Sequence, residues 1–213
     1  MIRRSLLAVF WVFPFLASSV LGDSYCRDLF AHIEGRWRLE IAETRSGGQL
    51  PTPTTRMILK EVSTGRILMS QYMQGLSPRS ITPTFSANGH FLALLISSQE
   101  LKVFRLEEEG AREVAQVGQV RLRDFPRAYG GETLRNAIWS PKSNQLVFSK
   151  LGENGLHSRI EYVLLDFDSG RSRVIAAYPR VVTSYPPMRV RWSATGQSVF
   201  VSDGRGQMFE IFL

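Results

Sequence analysis

The sequence contains few of the residues that form reactive or cross-linked sites. Cys26 is the only cysteine among 213 residues, so an intramolecular disulfide is excluded and the fold depends on its hydrophobic core. The three histidines are widely separated, with no second ligand at metal-binding spacing, and we predict no metal site. The serines lack the Gly-x-Ser-x-Gly and Ser-x-x-Lys patterns of nucleophilic enzymes. We therefore predict no catalytic residue and no cofactor.

Long stretches of helical periodicity are also missing beyond the N-terminal segment. Short apolar segments separated by turn residues take their place, with turns at Asn88-Gly89, Ser169-Gly170 and Thr195-Gly196. Such residue pairs connect antiparallel strands in tight hairpins. The pattern therefore predicts an all-β protein built from antiparallel sheet.

An aromatic residue followed by serine occurs three times at nearly constant spacing. The pairs are Phe85-Ser86, Trp139-Ser140 and Trp192-Ser193, which lie 54 and 53 residues apart. Each pair is followed by a turn and an apolar strand, and a period of this length is typical of repeat folds such as propellers. The motif marks a second, a third and a fourth unit. Residues 37–70 have the pattern of a first unit whose innermost strand has lost the motif.

A single small antiparallel unit is marginally stable, because both of its apolar faces meet water. Packing several units face to face around an axis buries those faces. We therefore predict a small β-propeller-like array of about four antiparallel blades, the fourth being one strand short. Residues 23–30 are one source of the missing strand and would close the ring. Otherwise the array stays open and is completed by a partner or by a second copy of the chain.

The first 22 residues have the layout of a secretory signal peptide. Arg3 and Arg4 precede an apolar stretch at 6–16, and small residues follow as far as Gly22. We predict cleavage after Gly22, a single domain over residues 23–213, and a periplasmic or secreted location. The alternative is a retained membrane anchor over 5–21, a run of 17 residues that contains Pro14 and is near the lower limit for a span.

The formal net charge is +7, and only four of the 26 basic residues are lysines. No basic run with interleaved aromatic residues is present, so we predict no nucleic-acid binding. An exported basic protein meets acidic envelope polymers, anionic lipids or acidic proteins. The alternative interpretation is that the arginines occupy solvent-facing strand positions.

The third unit resembles the TolB-type, WD-like β-propeller repeat of exported bacterial proteins. That repeat reads as an aromatic, then Ser-Pro-Asp-Gly, then an apolar strand, then a strand that ends in Asp and a Ser-Gly turn. Trp139-Ser140-Pro141 and Asp166-Phe167-Asp168-Ser169-Gly170 match it, and 85–89 and 192–196 match more loosely, without the Pro or the Asp. The resemblance covers about residues 56–212 and implies a propeller that recognises another cell-envelope protein. The family's six-bladed form with a separate N-terminal domain needs a longer chain.

Aligning the three motifs identifies candidate binding residues. Thr84, Ile138 and Arg191 fall at one position, and Thr82, Asn136 and Arg189 fall two residues earlier on the same strand face. The innermost strands of a propeller line its central channel. We therefore predict a channel or mouth bearing Asn136, Arg189 and Arg191, suited to an anionic ligand or an acidic segment of a partner. The alternative is that both arginines pair with acidic residues of neighbouring blades.

These features favour an exported, non-enzymatic scaffold that binds another envelope protein. The alternative is a carbohydrate-binding protein or a glycan-active enzyme with a pocket at the propeller mouth. A glycosidase needs two converging carboxylates, and the innermost strands offer no aligned pair.

Asp166, Asp168 and Gly170 match only part of a calcium loop, since the other oxygen ligands are missing. A two-sheet, lipocalin-like fold is suggested by Gly35-Arg36-Trp37 alone and does not explain the repeats.

Overall fold

The computed structural model describes residues 27–44, 54–97, 99–117, 133–154, 157–179, 189–203 and 205–213. Within these ranges it contains fifteen β-strands and one short 3₁₀ helix at Pro78–Ser80. None of the described segments is a helix long and apolar enough to cross a membrane. The predicted signal peptide, the alternative membrane anchor and Cys26 lie outside the described residues.

The strands form four antiparallel sheets, numbered I to IV in chain order. Sheet I contains β1 (Arg27–Glu34), β2 (Trp37–Thr44), β3 (Thr54–Glu61) and β4 (Ile67–Gln74). Sheet II contains β5 (Ile81–Phe85), β6 (Phe91–Ile96), β7 (Glu100–Leu106) and β8 (Ala111–Val117). Sheet III contains β9 (Thr133–Trp139), β10 (Gln145–Asn154), β11 (His157–Asp166) and β12 (Arg171–Pro179). Sheet IV contains β13 (Val190–Trp192), β14 (Ser198–Ser202) and β15 (Met208–Phe212). The predicted all-β array of about four antiparallel units is therefore confirmed.

The start of the chain differs from the predicted arrangement. β1 pairs with β2 along its length, from Arg27 opposite Glu43 to Glu34 opposite Trp37. The first unit therefore begins at Arg27, ahead of the predicted bounds of 37–70, and its first strand lacks the aromatic-serine motif, as predicted. Residues 27–30 do not close a ring against the fourth unit. The physical reason is local: Gly35, at φ 53°, allows a two-residue turn between β1 and β2. Such a short hairpin costs less loop-closure entropy than pairing with a distant strand.

The burial pattern of a strand reports the position of its sheet in the stack. In β6, five of the six residues are buried, because sheet II is covered on both faces. In β2, burial alternates strictly: Trp37, Leu39 and Ile41 point to the core, and Arg38 and Glu40 lie on the opposite face. Strict alternation is the pattern of a sheet that is covered on one face only. Sheet I is therefore an end of the stack, and sheet II is inside it.

Three apolar clusters join the sheets in sequence. The first packs β2 and β3 of sheet I against sheet II, with Leu39 and Leu92 both fully buried. The second joins sheets II and III around Phe91 and Trp139, whose ring centroids are 5.6 Å apart. The third joins sheets III and IV. Within the described part of the chain, no apolar cluster and no strand pair joins sheet I to sheet IV. The described fold is thus an open, propeller-like stack of four sheets.

The serine of each repeated motif holds the turn that follows it. The hydroxyl oxygens of Ser86 and Ser193 accept the backbone N–H of Phe91 and Ser198, at 2.9 and 3.1 Å. The hydroxyl oxygen of Ser140 accepts two backbone N–H groups of its turn, at 3.3 Å each. Short polar side chains that bond nearby backbone groups favour tight turns. The serine of the repeat is therefore explained by turn geometry.

The aromatic residue of the motif bonds one sheet to the sheet before it. The indole N–H of Trp139 donates to the carbonyl oxygen of Thr84 at 3.1 Å. The indole N–H of Trp192 donates to the carbonyl oxygen of Ile138 at 3.0 Å. Both acceptors directly precede the motif aromatic of the preceding sheet, so one hydrogen bond recurs at two successive interfaces. The two tryptophans therefore occupy equivalent positions.

The junction between sheets I and II uses a different tryptophan. Phe85 has no ring N–H, and it packs at the edge of the cluster between sheets I and II. There the indole N–H of Trp37, on β2, donates to the carbonyl oxygen of Gly89 at 2.5 Å. Gly89 lies in the turn after the motif of sheet II, at φ 71°. An indole-to-carbonyl hydrogen bond therefore spans each of the three interfaces.

We predict that Trp139→Phe and Trp192→Phe each lower the free energy of unfolding by about 1 kcal/mol, because each leaves a partly buried carbonyl without its indole donor. The two bonds lie at different interfaces, so the double variant is expected to lose about the sum of the single losses. Urea unfolding followed by circular dichroism measures these values. Tyr72→Phe, at a position 61% exposed, is the matched control and should change the free energy by less than about 0.5 kcal/mol. A tryptophan variant as stable as this control would contradict the role of the bond.

Candidate binding surface on the fourth sheet

Sheet IV has one covered and one uncovered face. Val190, Trp192, Val199 and Val201 point toward sheet III and are buried. The neighbouring positions Arg191, Phe200 and Glu210 point to the opposite side, because successive side chains of a strand alternate. Within the described residues no further sheet packs on that side. We refer to this side of sheet IV as the terminal face.

The terminal face is distinguished by one row of side chains that crosses the sheet. Strand pairing gives the equivalent row in each repeated sheet: Thr84, Ala93 and Val103 in sheet II, Ile138, Val147 and Leu164 in sheet III, and Arg191, Phe200 and Glu210 in sheet IV. In sheets II and III the row faces the next sheet, and its second and third members belong to the apolar clusters between sheets. In sheet IV the first and third members are charged and exposed. On the side where a further sheet would stack, the third position of the row is therefore Glu210, where sheets II and III have Val103 and Leu164. The first position is Arg191, where they have Thr84 and Ile138.

The row on the terminal face is internally ordered. The guanidinium carbon of Arg191 lies 4.8 Å from the ring centroid of Phe200, a cation–π geometry. The hydroxyl of Ser198 donates to the Oε1 atom of Glu210 at 2.6 Å. The row therefore runs from a cation, across an aromatic ring, to an anion. Each of these side chains has a defined direction before any partner arrives.

Arg189 is fixed through its backbone. Its N–H donates to the hydroxyl oxygen of Ser202 at 2.9 Å, and its carbonyl oxygen accepts the N–H of Ser202 at 3.0 Å. The hydroxyl of Tyr162, on sheet III, donates to the carbonyl oxygen of Ser202 at 2.8 Å. Burial raises the pKa of Tyr162, so this hydroxyl remains a protonated donor near neutral pH. Sheet III thereby holds Ser202, which in turn holds the backbone of Arg189 just before the start of β13.

Asn136 lies on the neighbouring sheet in a special backbone conformation. Its φ is 54°, in the left-handed region, where asparagine is more acceptable than most residues. It lies in a β-bulge, because the register between β9 and β10 shifts between Val147 and Ser149. Its Nδ2 atom donates to the hydroxyl oxygen of Ser149 at 3.5 Å. The bulge interrupts the two-residue alternation by which Asn136 was aligned with Thr82 and Arg189.

The structure therefore brings the predicted site residues together in part. Arg189 and Arg191 are both exposed, on and next to β13, whereas Asn136 is half-buried on β9, which packs beside β13. Ile138, the counterpart of Arg191, packs into the cluster between sheets III and IV. Arg191 thus has the direction of a residue that contacts the next sheet. Sequence reasoning missed Phe200 and Glu210, although the 53-residue offset applied to Val147 would have identified Phe200.

The turn that partly matched a calcium loop is explained by its own hydrogen bonds. The Oδ1 atom of Asp166 accepts the backbone N–H groups of Asp168 and Ser169, at 3.0 and 3.2 Å. The Oδ1 atom of Asp168 accepts from the side-chain amide of Asn144 at 2.7 Å. No group of three or more His, Cys, Asp or Glu side chains in the described segments is arranged to hold a metal ion.

A small cleft lies where the ends of sheets I and II meet. Its volume is about 190 Å³, below the range of about 300–1,000 Å³ that is usual for small-molecule sites. The guanidinium of Arg36 lies 4.8 Å from the ring centroid of Trp37 and also bonds the carboxylate of Glu61. No carboxylate lines the cleft; its lining is Gly35, Arg36, Trp37, Ala87, Asn88, Gly89 and His90. The cleft thus lacks the paired acids that glycoside hydrolysis requires.

Comparison with solved structures finds proteins of similar fold. Sqt1 of Saccharomyces cerevisiae is 11% identical, with a TM-score of 0.44 over 82% of this chain and 44% of that chain. The β-propeller domain of the Trilobed protease from Pyrococcus furiosus, described as having an open velcro topology, is 11% identical, with a TM-score of 0.45 over 89% of this chain and 57% of that chain. This chain thus spans about half the length of these structures. No protein-family model and no curated protein matches the sequence. The similarities concern the fold alone.

We predict that Asp166→Ala lowers the free energy of unfolding at pH 7 by about 1 kcal/mol, by removing an acceptor of two backbone N–H groups. Desolvation alone would raise the pKa of Asp166, but hydrogen bonds from Ser169, Gln145 and Asp168 outweigh it and lower the pKa. The ionised carboxylate therefore stabilises the fold above its unfolded-state pKa of about 3.9. This contribution is lost as the pH falls through the lower pKa of the folded state.

Urea unfolding of the wild type and the variant at several pH values between 7 and 2 measures this effect. The difference between them should shrink below about pH 4, where the wild type loses the contribution of the ionised carboxylate. Glu109→Ala, which removes one exposed carboxylate from another hairpin, is the control and should change stability by less than about 0.5 kcal/mol. A difference for Asp166→Ala that stays constant down to pH 2 would contradict the assignment.

Proposed function

We propose that this protein is an exported, non-enzymatic scaffold that binds another cell-envelope protein through the terminal face. The observation that carries the proposal is the row of Arg191, Phe200 and Glu210 at the exposed end of the stack, where the equivalent rows of sheets II and III pack against the next sheet. Arginine and aromatic side chains are among the residue types enriched in protein interfaces. The row is directed outward and ordered, so binding requires little further immobilisation.

The chemistry of this face indicates the partner. Arg189 and Arg191 are two residues apart, which separates their Cα atoms by about 7 Å along an extended chain. Alternate carboxylates of an extended acidic segment have the same spacing, and guanidinium–carboxylate hydrogen bonds are among the stronger ones. The face of Phe200 that Arg191 does not cover offers apolar contact. An acidic segment with an adjacent apolar residue therefore fits the row.

Two features of the sequence support an envelope location. The predicted signal peptide over residues 1–22 would export a single domain over residues 23–213. The resemblance of the repeat to the TolB type suggests a role among periplasmic or secreted proteins. The glycan alternative has weaker support, because the cleft between sheets I and II is small and has no carboxylate in its lining.

The test compares two matched pairs of arginines. Arg189→Ala/Arg191→Ala removes the cations of the terminal face, and Arg171→Ala/Arg173→Ala removes two exposed arginines at the same spacing on β12. Tagged proteins are used to capture envelope extracts at low and at moderate salt, and the captured proteins are identified and titrated against each variant. We expect the first pair to lower affinity about tenfold or more and the second to have little effect.

Equal capture by both variants would contradict the assignment of the terminal face. Binding to a glycan array without any protein partner would favour the carbohydrate alternative. Thermal unfolding of both variants verifies that neither has lost its fold, since substitutions at exposed positions usually change stability by less than about 0.5 kcal/mol.

A further inference from the structure

Within the described residues, the outer edge of β15 has no paired strand. Sheets I, II and III each have four strands, whereas β15 is the outermost of three. The N–H of Leu213 donates to the carbonyl oxygen of Gln197, and the N–H of Asp203 donates to that of Gln207. With the register of Val199 opposite Ile211, these bonds place the backbone groups of 209 and 211 toward β14. The backbone groups of Met208, Glu210 and Phe212 therefore point away from the sheet, toward a position that no described strand fills.

This edge lacks the features that protect the other outer strands. The pairing of β4, β8 and β12 with their neighbours is broken by a register shift in each sheet. The pairing of β15 with β14 is continuous. Its five residues include one charge, and Phe212 and Met208 are 77% and 40% exposed. Bulges and charges normally prevent unwanted pairing at a sheet edge, so a regular apolar edge is a template for another strand.

We infer that β15 accepts an extended segment of a partner protein as an antiparallel fourth strand. Such strand addition supplies main-chain hydrogen bonds for affinity and side-chain contacts for selectivity. Met208, Glu210 and Phe212 share one face of β15, so the residues directly opposite them in the added strand also share a face. Favourable cross-strand pairs with these three residues require an apolar, a basic and an apolar residue at alternate positions of the added strand. The segment is therefore basic at its centre and apolar on both sides.

A second copy of the chain fits this edge less well. Two β15 strands paired antiparallel about their centres would place Glu210 opposite Glu210 of the other copy. Like charges directly opposite each other destabilise a strand pair. The one charge of the strand therefore favours a partner of opposite charge over self-pairing.

This edge is a second recognition element of the proposed scaffold. It shares Glu210 with the terminal face, but the two arginines of that face lie apart from it. Arg191 lies on β13, two strands away from β15, or about 10 Å at the usual strand spacing. Arg189→Ala/Arg191→Ala should therefore leave strand addition unchanged. Loss of protein capture through the terminal face and loss of strand addition can thus be observed independently.

The test uses the full chain and the synthetic peptide Thr-Val-Thr-Lys-Thr-Val-Thr, blocked at both ends. Amide hydrogen exchange measured by NMR is expected to show fast exchange at Met208, Glu210 and Phe212 in the free chain, and slower exchange with the peptide. Phe209 and Ile211 serve as internal references, because their amides already bond β14. A peptide N-methylated at the lysine should not protect these amides, whereas one N-methylated at a flanking threonine should, since that N–H points away from β15.

The charge preference is tested by exchanging partners. A peptide with Glu in place of Lys should bind the wild type about two- to fivefold more weakly, and Glu210→Lys should reverse that order. Slow exchange at Met208, Glu210 and Phe212 in the free monomer would show that another part of the chain occupies the edge and would overturn the inference. Slow exchange that depends on protein concentration would identify a second copy as the occupant and also overturn it. So would an absence of protection at saturating peptide, or protection by both N-methylated peptides alike.

Discussion

Sheets II and III have apolar residues on both faces, and this constraint determines the rest of the structure. A sheet of this kind is stable only when both faces are covered, so each interior sheet requires a neighbour on either side. Leu92 and Leu94 of β6 contact sheet I, while Phe91 and Ala93 of the same strand contact sheet III. Burial alone leaves the sheets free to slide. The indole-to-carbonyl bonds of Trp37, Trp139 and Trp192 fix the position of each sheet relative to its neighbour, since a hydrogen bond tolerates little displacement.

The two ends of the stack are under a different constraint, because each has one face without a neighbouring sheet in the described structure and that face meets solvent. Sheet I covers that face with ion pairs: Glu40 contacts Arg38 at 2.9 Å and Lys60 at 2.7 Å. Sheet IV uses Arg191 and Glu210, separated by an aromatic ring. Surface ion pairs add little stability, so the value of these charges lies in keeping the ends soluble and selective. The end with an aromatic ring between its charges is the better suited to recognition.

Much of the fold could be predicted from the sequence, because the residues of the repeated motif stabilise turns a few residues away from them. Each of these serines bonds the backbone N–H of the residue five positions later, so Ser86 and Ser193 identify their turns without any knowledge of the tertiary contacts. β1 was harder, because its sequence fits a helical turn as well as a strand, and only its pairing with β2 decides between them. The bulge at Asn136 depends on how two strands match across a ladder. The direction of Arg191 could not be read from spacing alone, since the same spacing fits a channel and an end face.

The linear order of the stack has a consequence for how the molecule comes apart. In the described ranges, strands pair only with their neighbours in sequence, and apolar clusters form only between consecutive sheets. Cohesion there is of nearest-neighbour type, as in solenoids. Loosening is then expected to begin at the outermost sheets and to travel inward, while sheets II and III persist longest. A molecule that docks on sheet IV would act as a cap and would delay this fraying from one end. Binding of a partner at sheet IV would therefore make the unfolding of the whole stack more cooperative.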